Sequence, residues 1–108
     1  MARISKRMAG PLQLAGSAAT LYTVASNRRG IVRHIHLVNP TGGAVTFTLS
    51  IGTDGASKRI FDAVSIAAGG EKDHYCYYPL EAAEIVQGWA SAATSIVCIV
   101  SGDEEVLA

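Results

Sequence analysis

The stretch Ile31-Val32-Arg33-His34-Ile35-His36-Leu37-Val38-Asn39-Pro40-Thr41-Gly42-Gly43-Ala44-Val45-Thr46-Phe47-Thr48-Leu49-Ser50-Ile51 sets two runs rich in β-branched residues on either side of a turn signal. Side chains on a strand point alternately to opposite faces. Val45, Phe47, Leu49 and Ile51 therefore share one face, and Thr46, Thr48 and Ser50 the other. Such a strand has one buried face and one wet or contacting face. Asn39-Pro40-Thr41-Gly42-Gly43 reads as a hairpin connection between the runs.

The same grammar extends in both directions. Gly, Asn-Pro, Asp-Gly and Ser-Gly punctuate the chain at roughly ten-residue intervals. About eight runs result, over residues 12–15, 20–25, 31–39, 44–52, 58–61, 71–78, 84–89 and 94–101. Asp54-Gly55 is a turn pair able to take positive φ. Residues 96–100 are apolar on both faces, which suits a strand covered on both sides or one whose outer face meets another subunit. Helix is nearly absent, since only Glu81-Ala82-Ala83-Glu84 within residues 79–86 offers a turn or two. The pattern predicts an all-β fold, an antiparallel two-sheet β-sandwich, jelly-roll-like, because a single open sheet would leave too much apolar surface wet. Residues 1–10 are basic and lack periodicity, so they read as an N-terminal arm, with the sandwich domain at 11–108.

Composition bounds the function. At 108 residues, 49% hydrophobic and 17% charged, the chain is one domain able to bury a core, with no room for a second. Nine Lys and Arg cancel nine Asp and Glu, which argues against nucleic acid as a partner. No apolar run approaches the roughly 20 residues that cross a bilayer, and Arg3, Lys6 and Arg7 are followed by Met8-Ala9-Gly10-Pro11 rather than an apolar signal core. The expectation is a soluble protein without a visible secretion signal and without a membrane partner. The charge is nevertheless asymmetric: no Asp or Glu precedes Asp54, and no Lys or Arg follows Lys72. Either this is chance with solvated loops, Asp103-Glu104-Glu105 being an acidic tail, or complementary surfaces meet between identical copies.

Catalytic chemistry finds little support. His34 and His36, two apart on a strand, place both imidazoles on one face with Val32 and Val38, opposite Ile31, Ile35 and Leu37. A metal centre needs a third ligand; His74 is the only other histidine, and no Glu follows His36 at the spacing of the cupin metal motif. Cys76 lies two residues from His74, but nothing nearby resembles a nucleophile's strained turn. Cys76 and Cys98 are too few for a disulfide framework and read as buried thiols. Glu81 and Glu84 sit on the expected helical turn, and no phosphate or calcium loop motif occurs in the sequence. No catalytic residue, metal or cofactor is expected. Tyr75 and Tyr77 share a strand face, and with Trp89 they suit a core edge, a subunit interface or a sugar-stacking platform.

The stretches Leu21-Tyr22-Thr23-Val24-Ala25-Ser26-Asn27-Arg28-Arg29-Gly30-Ile31-Val32 and His36-Leu37-Val38-Asn39-Pro40-Thr41-Gly42-Gly43-Ala44-Val45-Thr46-Phe47-Thr48-Leu49, with the later turn Ser65-Ile66-Ala67-Ala68-Gly69-Gly70-Glu71, resemble the small β-sandwich virion proteins of tailed bacteriophages. The resemblance covers about residues 20–102 and implies a non-enzymatic structural subunit, a capsid decoration (cement) protein or a neck or tail component. Its implied partners are other copies of itself, as a homo-oligomer, and other virion proteins such as the major capsid or tail proteins. Its implied location is the virion, assembled in the host cytoplasm. The expected interface residues are Arg3, Lys6 and Arg7 in the arm, Arg28 and Arg29 at a loop tip, and Tyr75, Tyr77 and Trp89 as anchors. The rivals are a lectin-like glycan-binding module of a phage tail using Tyr75, Tyr77 and Trp89, and a cupin-like metal enzyme using His34, His36 and His74. The underlying premise is that strand faces too apolar for so small a sandwich are completed by sister copies.

Overall fold

The computed structural model describes residues 3–107. Eight strands run in order: β1 (Arg3–Gln13), β2 (Ala19–Thr23), β3 (Arg28–Val38), β4 (Val45–Ile51), β5 (Arg59–Ile66), β6 (Glu71–Leu80), β7 (Ile85–Ala90) and β8 (Val97–Val106). One 3-10 turn, Ala56–Lys58, precedes β5. The strands form two four-stranded sheets, β1-β8-β3-β6 and β2-β7-β4-β5, and neighbours within each are antiparallel. This is the predicted two-sheet sandwich, wound as a jelly roll.

Val32, Ile35 and Leu37 of β3, Phe47 and Leu49 of β4, Val86 of β7 and Cys98 and Val100 of β8 fill the space between the sheets. Each large apolar side chain buried there stabilises the fold by about 1.5–3 kcal/mol. Only Ile4, Tyr75 and Tyr77 are large hydrophobics left exposed among the described residues. The sandwich therefore closes its apolar faces within one chain, contrary to the premise that sister copies must complete them.

The turn at Asn39 is a crossover between sheets, not a hairpin, because β3 and β4 belong to different sheets. Asn39 is fully buried and holds the crossing. Its Nδ2 donates to Gly43 O (2.8 Å) and Ile66 O (2.9 Å), and its Oδ1 accepts from Thr41 N (3.1 Å) and Thr41 Oγ1 (2.6 Å). Its backbone joins Gly69 and Gly70, so one side chain ties the β3–β4 and β5–β6 connections together. The positive φ expected near Asp54-Gly55 falls instead on Gly52 (φ 102), while Gly55 is extended (φ 178).

Two further expectations change. Residues 3–10 are not an arm: they are the greater part of β1, paired along β8 from Arg3↔Glu105 to Gln13↔Val97. Register shifts between Arg7 and Ala9 and between Ala9 and Leu12 break the period of two, which is why no strand pattern shows there. Pro11 is tolerated because β1 is an edge strand. In β3, a register shift between Val32 and His34 turns Val32 into the core while His34 and His36 stay on the outer face, so these residues do not share a face. The Thr and Ser face of β4 is not wet either. Thr48 and Ser50 are buried, Thr48 Oγ1 accepting from Ala63 N (3.1 Å) and Ser50 Oγ donating to Gly52 O (3.3 Å).

Candidate assembly face

The outer face and open end of the β1-β8-β3-β6 sheet gather most of the residues that sequence reasoning singles out. Asp103, Glu104 and Glu105 are not a solvated tail; they lie in β8 between β1 and β3, and Asp103 and Glu104 are buried. The basic residues of both neighbouring strands converge on them. Arg3 Nη2 lies 2.9 Å and Arg29 Nη1 3.4 Å from Glu105. Arg28 Nη1 lies 2.8 Å and Lys6 Nζ 3.5 Å from Glu104. Arg33 Nη1 lies 3.2 Å from Asp103, which also accepts from Ser5 Oγ at 2.9 Å. The charge asymmetry of the sequence is thus answered inside one chain, basic β1 and β3 clasping acidic β8. Arg3, Lys6, Arg28 and Arg29 hold their own sheet together, and Arg7 alone of the five basic interface candidates has no ion-pair partner among the described residues.

Glu104 is the pivot of this cluster. Burial opposes its ionisation, but hydrogen bonds from Tyr22 and Arg28 and the nearby Lys6 ammonium outweigh it and hold its pKa below the ordinary value. The Tyr22 hydroxyl, reaching from the other sheet, is pushed well above its usual pKa first by burial and then by donating to Glu104. Glu105 is held low chiefly by the hydrogen bond from Arg3.

At the far edge, β6 has β3 on one side and no strand on the other among the described residues. Its outward residues are Glu71, Asp73, Tyr75, Tyr77 and Pro79. Tyr75 is 77% exposed and Tyr77 59% exposed. Tyr75 stacks on His34 (centroids 4.4 Å apart, planes 14° apart), and the Arg33 guanidinium lies 5.7 Å from the Tyr77 ring. Both rings are held by neighbours yet leave most of their surface exposed. A shallow groove lined by Ser5, Arg7, Arg33 and Asp103 continues this face toward β1. Trp89 does not join it, because β7 lies in the other sheet and Val86 and Ala90, not Trp89, face the core. The three aromatics therefore form no single sugar-stacking platform.

His34 and His36 do meet a third polar group, which sequence reasoning missed. Asp73 Oδ1 lies 2.9 Å from His34 Nε2 and 2.7 Å from His36 Nδ1. The signal was available: Glu71 and Asp73 alternate on β6 as His34 and His36 do on β3, and His36 is the register partner of Asp73. His74 stands apart, its Nε2 2.9 Å from Tyr78 Oη and its ring edge-on to Phe61 at 4.8 Å. Burial lowers its pKa, so it stays neutral more readily than a free imidazole. It makes no pair with Cys76, whose thiol donates to Val32 O at 3.5 Å and is pushed up in pKa by burial. Cys98 is buried in the core with its pKa raised to about 12 by burial, and both cysteines are free. Neither is poised as a thiolate nucleophile.

No protein-family model matches this sequence, and no curated protein matches it. The fold is similar to that of a Bacillus endospore appendage, one of a family of disulfide-linked pili, with a TM-score of 0.56 at 14% identity, covering 98% of this chain and 89% of that one. A structure of infectious bursal disease virus, Gx strain, matches with a TM-score of 0.48 at 13% identity over 95% of this chain and 32% of the viral chain. At such identities the likeness is one of fold.

Proposed function

We propose that this chain is a non-enzymatic structural subunit that self-associates within a larger particle. At the finer level the particle is a tailed-phage virion, in which the chain acts as a capsid decoration or as a neck or tail component. The observation that carries the reading is the β6 edge. A ten-residue strand with one open side is a template for pairing with another chain, and here it presents two exposed tyrosines braced by His34 and Arg33. Tyr and Arg are enriched where interfaces concentrate their binding energy. The occupant is a second copy of the same chain or, in the particle, a shell or tail protein. A specific contact of this kind buries above about 1,000 Å² in total, more than Tyr75 and Tyr77 alone supply, so the groove with Arg7 and Arg33 belongs to the same face.

Two features support a non-catalytic role: burial raises the pKa of both cysteine thiols rather than activating them, and the buried carboxylates Asp103 and Glu104 are engaged by basic partners of the same chain. The phage-like strand and turn sequences support the finer assignment. The test is native mass of the purified protein combined with its presence and copy number in particles purified from an infected host. Oligomers together with stoichiometric incorporation are expected. A strict monomer that never co-purifies with particles would overturn the reading.

A further inference from the structure

We propose that His34, His36 and Asp73 form a binding site for a borderline divalent transition ion, with Zn2+ as the representative ligand. The geometry is close to what such an ion requires. The three ligand atoms all lie within 4.8 Å of one another, with Asp73 Oδ1 2.9 Å and 2.7 Å from the two ring nitrogens. Zinc bonds of about 2.0–2.1 Å to nitrogen and about 2.0–2.2 Å to oxygen place tetrahedral ligand atoms about 3.3 Å apart. Reaching that arrangement takes a sub-ångström opening of the two short contacts to Asp73. In the metal-free state the ionised carboxylate accepts a hydrogen bond from each ring; on binding, each neutral imidazole moves its single proton to the ring nitrogen turned away from the ion and offers the freed lone pair to the metal, with no net proton release.

Three features distinguish this cluster from an ordinary surface pair. His34 and His36 sit two apart on β3 and Asp73 is the direct cross-strand partner of His36, so the sheet itself fixes the spacing. Glu71 Oε2 lies 3.8 Å from His36 Nε2, the nitrogen not turned to Asp73, which puts a second carboxylate charge beside the ring. Tyr75 stacked on His34 fixes that ring's plane. The imidazole and carboxylate donor set suits zinc and its neighbours rather than calcium or magnesium, which want all-oxygen shells. Three protein ligands leave at least one coordination position for water, and the site faces outward beside Tyr75.

Isothermal titration of the tag-free protein with zinc chloride tests this directly. One ion per chain is expected, with a dissociation constant in the micromolar range or below. His36→Ala and Asp73→Asn should each weaken binding at least about tenfold, with the β-sheet circular dichroism unchanged, whereas His74→Gln should bind as the parent does. Should either variant fail to fold, imidazole nitrogen NMR of the parent decides. Zinc must shift the His34 and His36 resonances and leave those of His74 in place. No saturable binding below millimolar zinc, or a response confined to His74, would overturn the site and reduce the cluster to a cross-strand hydrogen-bonded triad.

Discussion

The Tyr22 hydroxyl, carried by β2 in one sheet, donates a hydrogen bond to the Glu104 carboxylate, carried by β8 in the other. It links the two sheets where Arg28 and Lys6 also converge on Glu104. Tyr22→Phe removes the donor and leaves a buried carboxylate with two partners in place of three. The expected loss is about 1–2 kcal/mol, a fall in Tm of about 5–10 °C for a domain of this size. Thermal unfolding checks it, and an unchanged Tm contradicts it.

The same cluster sets the acid response. Glu104 and Glu105 both have folded pKa values held below their ordinary 4.5. Groups shifted in this direction contribute stability that is fully present above the unfolded value and is lost as pH falls through the folded value. The contribution of these two carboxylates should therefore be constant near neutrality and decline below about pH 4.5. Glu104→Gln should lower the neutral-pH plateau and make the decline shallower. Urea midpoints measured from pH 7 to pH 3 give both quantities.

Asn39→Ala removes a side chain whose amide donates to Gly43 O and Ile66 O, with a third, longer contact to Ala67 O at 3.4 Å, and whose oxygen accepts twice, leaving Ile66 O without this partner inside the protein. A cost of about 2–4 kcal/mol is expected. Asn39→Asp should not rescue it, since a carboxylate cannot donate to the two carbonyls. Denaturant unfolding of the two variants distinguishes this role from simple cavity formation.

Gly102 lies where β8 passes the β3 irregularity between Val32 and His34. A Cβ added there would collide with the Ile31 carbonyl oxygen, so the backbones must separate for any other residue. Gly102→Ala should cost at least about 2 kcal/mol and expose the His34–Tyr75 end of the sheet to faster amide exchange. Hydrogen exchange at Ile31, Val32 and Gly102 measures this.

Much of the fold was legible because β4 alternates Val45, Phe47, Leu49 and Ile51 with Thr and Ser, and because the punctuation between the runs is specific. Three things were hidden, each for a physical reason. The bulges near Met8 and Gly10 erased the alternation of β1, so a strand looked like an arm. Which strands pair is a long-range choice, and Asn39-Pro40-Thr41-Gly42-Gly43 serves a crossover as well as a hairpin. The acidic end looked solvated because its partners, Arg3, Lys6, Arg28 and Arg33, are distant in sequence. On the candidate face, the shared side of Tyr75 and Tyr77 is legible in their spacing and the structure leaves both exposed, while the link of Asp73 to His34 and His36 is not, because it runs through the β3–β6 register.

The most direct test is sedimentation velocity of the parent chain and of Tyr75→Ala/Tyr77→Ala over a wide concentration range. Both positions are exposed, so the double variant should unfold at nearly the parent's temperature. The parent should assemble beyond a monomer, and the variant's association should weaken at least about tenfold, equivalent to about 1.4 kcal/mol. A parent that stays monomeric throughout, or a variant that assembles as tightly as the parent, would contradict it.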